Sequence, residues 1–465
     1  MPGLTVRQYF RGLRVLLVGL GVHGGGVATA RWLIKHGAQL TITDLKLRRD
    51  LAKSVAALKS LPIQWRLGRH DQRDFTSADL IVQNPGVPPD LPALQTAVRA
   101  GIPVVNEASL FFKYAPGRII GITGTRGKTT TTLLIAAILR QNKSTVEVSG
   151  NVRQTPMLAM IDKLRPTSIS VIELSSFQLE RLADIKISPA LAVMTNLKID
   201  HLNRYHTLKK YIAAKSNIWR FQKRRDLAVL NADDRLVRQL ADLTPAKKWW
   251  FGIQYQRHQP LITIDRGWVV RKQRNKIKQL FPLTNWTLPG QHQVYNLLAA
   301  VAAGMAMNIP PPIIRQAIKK FVGVPYRQQE IQRWHGHRFI NDTTATSPDG
   351  LLAALENFPQ AVFIIGGTDK KLDFKPLVKK LLKGPIKLVF LPGSATKKLQ
   401  RLLHHRGYRQ TWLNAKNMNQ AVRLAIRMAA VNDAIVLSPG AASFGLFVHE
   451  FDRGDQFNRV VNQLT

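Results

Sequence analysis

Arg118-Ile119-Ile120-Gly121-Ile122-Thr123-Gly124-Thr125-Arg126-Gly127-Lys128-Thr129-Thr130 sets an apolar strand directly before a glycine-rich turn closed by Gly-Lys-Thr, with a helix predicted to start at Thr131-Thr132-Leu133-Leu134. Strand, turn and helix stand in the order a phosphate loop needs. Backbone amides and the positive helix end can cradle β- and γ-phosphates, Lys128 adds a point charge, and the Thr129 hydroxyl can ligate Mg²⁺. Gly124, Thr125, Gly127, Lys128, Thr129 and Thr130 are therefore candidate ATP ligands. Ile122 stands where the strict G-x-x-x-x-G-K-[ST] spacing wants its first glycine, one position after Gly121.

Outward from this loop, short aliphatic runs recur at residues 14–18, 40–43, 80–82, 169–174, 191–195, 226–230, 362–365, 387–391 and 434–437, with helical segments between them. Most end in Gly, Pro, Asp, Asn or Ser, which puts flexible and polar residues at the carboxyl edge where open α/β sheets place ligands. Joints are expected near Tyr114-Ala115-Pro116-Gly117 and Gly323-Val324-Pro325-Tyr326. The fold class is α/β in three domains: an N-terminal Rossmann-like domain (1–116), a central P-loop ATPase-type domain with a mostly parallel sheet (117–322) and a C-terminal Rossmann-like domain (323–465). Three domains suit 465 residues, and 45% hydrophobic residues suffice for a core in each.

The chain has no cysteine, which excludes disulfides, thiolate metal sites and a cysteine nucleophile and suits a reducing compartment. Its longest apolar run, 297–307, is shorter than the ~18 residues of a membrane span, so a soluble, cytosolic protein without a membrane partner is expected. The 68 Lys plus Arg against 28 Asp plus Glu give a net charge of +40. Such a field draws anions of any kind, but the cations are dispersed and not interleaved with stacking aromatics, so no specific nucleic acid is expected.

Gly19-Leu20-Gly21-Val22-His23-Gly24 also follows a strand and opens a helix, with Asp44 at the tip of the next strand. The letters fit a dinucleotide fingerprint, yet the glycines guarantee only a tight turn and amides free to meet an anion. A nucleotide in general, NAD in particular, or plain strand–helix packing all fit. Glu173, ending the 169–174 strand, is either a metal ligand at the phosphate-loop edge or a solvated turn residue. His201 follows Asp200 just past the next strand, and Lys215 reads most simply as an exposed helix residue.

Seven segments then appear in the order seen in Mur ligases: 124–130, Glu173-Leu174-Ser175-Ser176-Phe177-Gln178-Leu179-Glu180, Asp200-His201-Leu202-Asn203-Arg204-Tyr205, Asn231-Ala232-Asp233-Asp234, Gly290-Gln291-His292 with Asn296, Asn341-Asp342-Thr343-Thr344-Ala345-Thr346, and Leu437-Ser438-Pro439-Gly440-Ala441-Ala442-Ser443-Phe444. The chain resembles that family along all three domains. Asn84-Pro85-Gly86-Val87 and the run to Arg453-Gly454-Asp455-Gln456-Phe457 are most similar to members that add D-glutamate to UDP-N-acetylmuramoyl-L-alanine.

The resemblance implies an ATP- and Mg²⁺-dependent amide ligase of peptidoglycan synthesis that works through an acyl phosphate, as a cytoplasmic monomer on small-molecule substrates. It implies Lys128, Glu173, His201 and Lys215 as catalytic residues, with Thr129, Glu173, His201 and a carbamoylated Lys215 about the metal. Asn296, Arg327 and Asp342 would join the loop on ATP. Val22, His23, Asp44, Gly86 and Asn151 would hold the uridine nucleotide, so the N-terminal turn would take UDP and not NAD. Thr346, Lys370, Ser443 and Phe444 would form the D-glutamate pocket. Arg126, Arg153, Gln293 and Thr344 depart from the family pattern, Thr344 standing where many relatives have lysine. The rival readings are another Mur-type ligase with a different amino acid, an NAD-dependent dehydrogenase and a basic nucleic-acid-dependent ATPase.

Overall fold

The computed structural model describes residues 5–22, 24–150, 156–198, 202–255, 257–370, 372–384, 386–408, 410–443 and 445–464. His23, Asn151, Arg153, Asp200, His201 and Phe444 lie outside the described residues. The chain divides into two compact units, Met1–Phe321 and Val322–Thr465. Two sheets belong to the first unit and one to the second.

The first sheet is wholly parallel, in the order β3-β2-β1-β4-β5, with β1 Arg14–Val18, β2 Gln39–Asp44, β3 Ile63–Leu67, β4 Leu80–Gln83 and β5 Val104–Val105. Gly26 of the following helix Gly25–Lys35 marks the closest approach of helix to strand. A Cβ there would lie 2.1 Å from the Leu20 carbonyl oxygen, so only glycine lets the helix settle on the sheet.

The second sheet contains β6 Arg118–Thr123, β7 Val146–Ser149, β8 Ile169–Glu173, β9 Leu191–Met194, β10 Leu227–Asn231, β11 Lys247–Phe251, β12 Leu261–Asp265, β13 Trp268–Gln273 and β14 Lys276–Pro282. Their order is β14-β13-β12-β11-β10-β9-β6-β8-β7. The strands from β7 to β12 are parallel, and β12, β13 and β14 form an antiparallel meander at one edge. β6 is buried on both faces. Ile120 and Ile122 pack with Leu134, Ile138, Leu297 and Val301 of the helices Lys128–Gln141 and Gln291–Ala306, while Ile119 joins the opposite cluster. The apolar run 297–307 is thus core, and among the described residues no helix is long and apolar enough to cross a membrane.

The third sheet runs β15-β16-β20-β17-β18-β19, from β15 Gln329–Trp334, β16 His337–Asn341, β17 Ala361–Gly366, β18 Lys387–Leu391, β19 Trp412–Asn414 and β20 Ala434–Leu437. All its pairs are parallel except β15 with β16. The ten expected strands are all present within a residue or so at each end. The strands not foreseen include the antiparallel edges β13, β14 and β15. Their exposed faces break the apolar runs by which the others were found: β14 is exposed through its first four residues.

Candidate active site

At the carboxyl edge of the second sheet, β6 lies between β8 and β9, with Ile122 opposite Glu173 and Thr123 opposite Met194. The register alone delivers Glu173 and Thr195 beside the start of the glycine loop. Gly124, at φ 148, allows the Thr195 hydroxyl to come within 1.9 Å of where a Cβ would stand, and Gly127, at φ 83, does the same for Asn296 Oδ1 at 2.2 Å. A side chain at either position would be strained at that φ and would push Thr195 or Asn296 aside.

The loop is clamped from its backbone. Thr195 Oγ1 and Asn196 Nδ2 donate to the Arg126 carbonyl at 2.7 and 3.0 Å, while Asn196 Oδ1 accepts the Arg126 N–H at 2.9 Å. The Arg126 side chain itself is exposed. Its departure from the family asparagine is therefore accommodated, because the clamp does not use the side chain. Asn196 is a site residue that sequence reasoning passed over. Its only signal is a polar residue just beyond a strand tip.

Lys128 opens the helix, and the first four N–H groups of a helix have no partner within it. Thr129 is buried and its hydroxyl donates to Glu173 Oε2 at 2.7 Å, with Glu173 itself only 4% exposed. The solvated-turn reading of Glu173 is overturned. So is the exposed-helix reading of Lys215, which is 2% exposed and donates from Nζ to the Gly124 carbonyl at 2.9 Å and toward Thr123 Oγ1 at 3.4 Å. It sits above the Tyr211 ring, whose hydroxyl meets Thr125 Oγ1 at 3.1 Å. The helix Leu208–Arg220 turns its buried face to the loop, a fact invisible in a lysine-rich local sequence. Asn296 approaches from the helix Gln291–Ala306 and donates to Gln293 Oε1 at 3.0 Å, so the unusual Gln293 supports it.

At the edge of the first sheet, Asp44 Oδ2 accepts the N–H groups of Leu20 and Gly21 at 2.9 and 3.3 Å, and Oδ1 accepts that of Lys46 at 2.9 Å. Val22 in this turn is exposed, and Asn84 and Val87 lie against Gly19, with Asn84 also beside Gly21. A Cβ on Gly19 would lie 2.8 Å from Val87 Cγ2. Gly86 is exposed, its N–H donating to Asn84 Oδ1 at 3.1 Å. His70 joins this edge through Thr43 Oγ1 at 2.7 Å, and burial lowers its pKa.

Two family models match the chain: Mur ligase middle domain over residues 122–304, and Mur ligase MurD-like, N-terminal domain over residues 13–106. The curated UDP-N-acetylmuramoylalanine–D-glutamate ligase of Roseiflexus sp. is 39% identical over 98% of this chain and 99% of its own length. That of Koribacter versatilis is 35% identical over 98% of each. The chain belongs to the Mur ligase family. Its matches are of the MurD type. The solved UDP-N-acetylmuramate-alanine ligase MurC of Thermotoga maritima shares the fold at 20% identity, covering 97% of this chain and 98% of that one with a TM-score of 0.56.

In the second unit of this Mur ligase, Asp342 follows β16 and is buried. Ser438 Oγ donates to its Oδ2 at 2.8 Å and the Gln328 N–H to its Oδ1 at 3.1 Å. Burial pushes its pKa up to about 7, against the pull of Ser438, Gln328 and the nearby Arg327. Thr344 donates to the Tyr326 carbonyl at 2.9 Å, a loop-fixing bond that a lysine would not make in this form. Thr346 and the buried Ser443 flank that loop, whereas Lys370 is exposed after β17. Arg453, fully buried, donates to Thr343 Oγ1, the Thr343 carbonyl and the Ala441 carbonyl at 3.0, 2.9 and 3.1 Å. It ties the loop that carries Thr346 to the loop that carries Ser443, two of the expected D-glutamate residues. In the sequence Arg453 stands in a polar helical stretch, with no local sign of this task.

Proposed function

We propose that this Mur ligase forms the amide bond between D-glutamate and UDP-N-acetylmuramoyl-L-alanine at the expense of ATP, releasing ADP and phosphate in peptidoglycan synthesis. The observation that carries the reading is the buried meeting of Thr129 and Glu173 at 2.7 Å beside a glycine loop whose backbone is already clamped. A carboxylate is a poor acyl donor. Transfer of the γ-phosphoryl group to the acceptor carboxylate gives an acyl phosphate; the D-glutamate amine then attacks that carbon, loses a proton, and phosphate leaves. Two anions must meet for the first step, so cationic and N–H groups fixed beforehand supply most of the barrier reduction.

In this reading Gly124, Thr125, Gly127, Lys128, Thr129 and Thr130 hold the phosphates, and Asn296, Arg327 and Asp342 are assigned to ATP by motif position. The Thr129 hydroxyl and Glu173 carboxylate are hard oxygen donors of the kind Mg²⁺ accepts. Bound there, Mg²⁺ would neutralise phosphate charge, with His201 and a carbamoylated Lys215 as further ligands. Carbamoylation would replace the Lys215 ammonium with a neutral N–H that bears a carboxylate, adding two acceptor oxygens beside the loop. Val22, His23, Asp44, Gly86 and Asn151 take the uridine nucleotide, and Thr346, Lys370, Ser443 and Phe444 take D-glutamate. The three functional modules are 1–116, 117–322 and 323–465. The enzyme works as a cytoplasmic monomer, where ATP and its nucleotide-linked substrate are found, without a nucleic-acid or membrane partner.

Phosphate release measured over a panel of amino acids tests this. Release that needs UDP-N-acetylmuramoyl-L-alanine and is greatest with D-glutamate is expected. Equal release without the acceptor, or a preference for L-lysine or diaminopimelate, would overturn it.

A further inference from the structure

Between the two edges just described runs a contact path that no substrate assignment uses. Arg204 lies in the one-turn helix Leu202–Tyr205 and forks onto Glu180, Nη2 to Oε2 at 2.9 Å and Nε to Oε1 at 3.3 Å. Its remaining arm, Nη1, donates to the Pro85 carbonyl at 3.0 Å, in the loop that carries Gly86. The guanidinium lies 4.2 Å over the Phe177 ring. Both partners of the ion pair are largely shielded, with side-chain exposures of 12% and 16%. On the far side of Glu180, Tyr205 donates to Oε1 at 2.5 Å, its ring lies 5.5 Å from that of Tyr211, and the Tyr211 hydroxyl meets Thr125 of the phosphate loop. A parallel clip, Arg181 to Gln83 Oε1 at 2.9 and 3.0 Å, holds the end of β4 to the same segment.

We propose that Arg204 is a positioning residue that fixes the 84–86 loop to the phosphate-loop edge through Glu180, Tyr205 and Tyr211, setting the distance between the nucleotide end and the reacting carboxylate of the acceptor. The inference rests on the assignment of that loop to the uridine nucleotide made above. One long substrate must satisfy two sites on different sheets. An error of about 1 Å in their spacing costs on the order of a hundredfold in rate. Only a planar guanidinium can grip a carboxylate with two N–H groups and still reach a third acceptor; a lysine ammonium keeps the charge and loses the fork.

The test is steady-state kinetics of the full-length enzyme carrying Arg204→Lys, and separately Glu180→Gln. Each variant should raise KM for UDP-N-acetylmuramoyl-L-alanine about tenfold and lower kcat by a similar factor, with KM for ATP and D-glutamate within about twofold. The double variant should be no worse than the weaker single, because both break one link. A merely structural role would move all three KM values together, or only the melting temperature, and that result overturns the proposal. Should Arg204→Lys not fold, Glu180→Gln carries the same comparison. Gly86→Val separates the two levels: a Cβ there meets only Asn84 Oδ1 at 3.7 Å and Gly86 is exposed, so the substitution is expected to leave the loop in place and to obstruct a ligand bound over it, which an unchanged melting temperature checks. If Gly86→Val raises the acceptor KM and the Arg204 and Glu180 variants do not, this inference alone fails. An unchanged acceptor KM in Gly86→Val removes the loop assignment and the inference with it.

Discussion

In the turn after β1 the acid arriving from the next strand, Asp44, accepts two backbone N–H groups of the turn at 2.9 and 3.3 Å. After β6 the acid of the neighbouring strand, Glu173, instead accepts a side-chain hydroxyl, that of Thr129, at 2.7 Å. Both turns join a buried strand to a helix through glycines at positive φ. In the first, part of the amide surface is spent on a fixed carboxylate, so a diphosphate is left with the helix end beyond Gly24. In the second, the carboxylate stands aside from the amides and Lys128 begins the helix. Glycine spacing is common to both; where the acid points, and whether a cation follows, separates the turn proposed above to hold a triphosphate from the one proposed to hold the uridine nucleotide with help from other loops.

The largest effect expected from that contrast is in Lys128→Ala. Removing the ammonium that opens the helix after the second turn should lower ATP-dependent phosphate release by about a thousandfold, with the circular dichroism spectrum unchanged. Activity within tenfold of the parent would mean the two turns do not differ as claimed. Gly127→Ala comes next. At φ 83 and with Asn296 Oδ1 2.2 Å from the new Cβ, the loop must shift, and turnover should drop about a hundredfold while the uridine nucleotide still binds by calorimetry. The companion change beside the first turn is Gly26→Ala in the helix that follows it, where the obstacle is the Leu20 carbonyl at 2.1 Å. Overpacking there should cost about 1 to 3 kcal/mol of stability, read by urea denaturation, and weaken the acceptor far more than ATP. Equal loss of both ligands would erase the distinction.

That distinction was only half legible in the chain. The strands β1, β6, β8, β9 and β20 are aliphatic runs that give way to Gly, Glu, Thr-Asn or Ser, so they and the two turns could be read directly. β14 and β15 could not, because an edge strand with one wet face alternates, and Lys276-Ile277-Lys278-Gln279 and Gln329-Glu330-Ile331-Gln332 look like loop. The site shows the same division. Lys128 and Thr129 announce themselves by spacing, and Glu173 by its place at a strand tip. Lys215, Arg204 and Arg453 do not, since nothing in a local stretch says that a cation is shielded; the Gly124, Pro85 and Thr343 carbonyls are among their acceptors, brought to them only by the fold.

A third acid beyond a strand, Asp342, extends the comparison to the second unit and gives the smallest effect. Neither amides alone nor one hydroxyl hold it, and burial pushes its pKa up to about 7 from 3.8. The folded unit therefore binds this proton more tightly than the unfolded chain does. The sign follows: the group favours the fold least above about pH 7 and progressively more as pH falls toward 4. In between, its contribution to unfolding free energy falls by at most ~1.4 kcal/mol per pH unit as pH rises. Asp342→Asn keeps an acceptor for Ser438 and removes the titration, so stability measured by denaturant at pH 5 and pH 8 should change less with pH in the variant. Glu107, also pushed up to about 7 by burial, is common to both proteins and cancels in their difference. Identical pH slopes for parent and variant would show that Asp342 is ionised in the fold across this range.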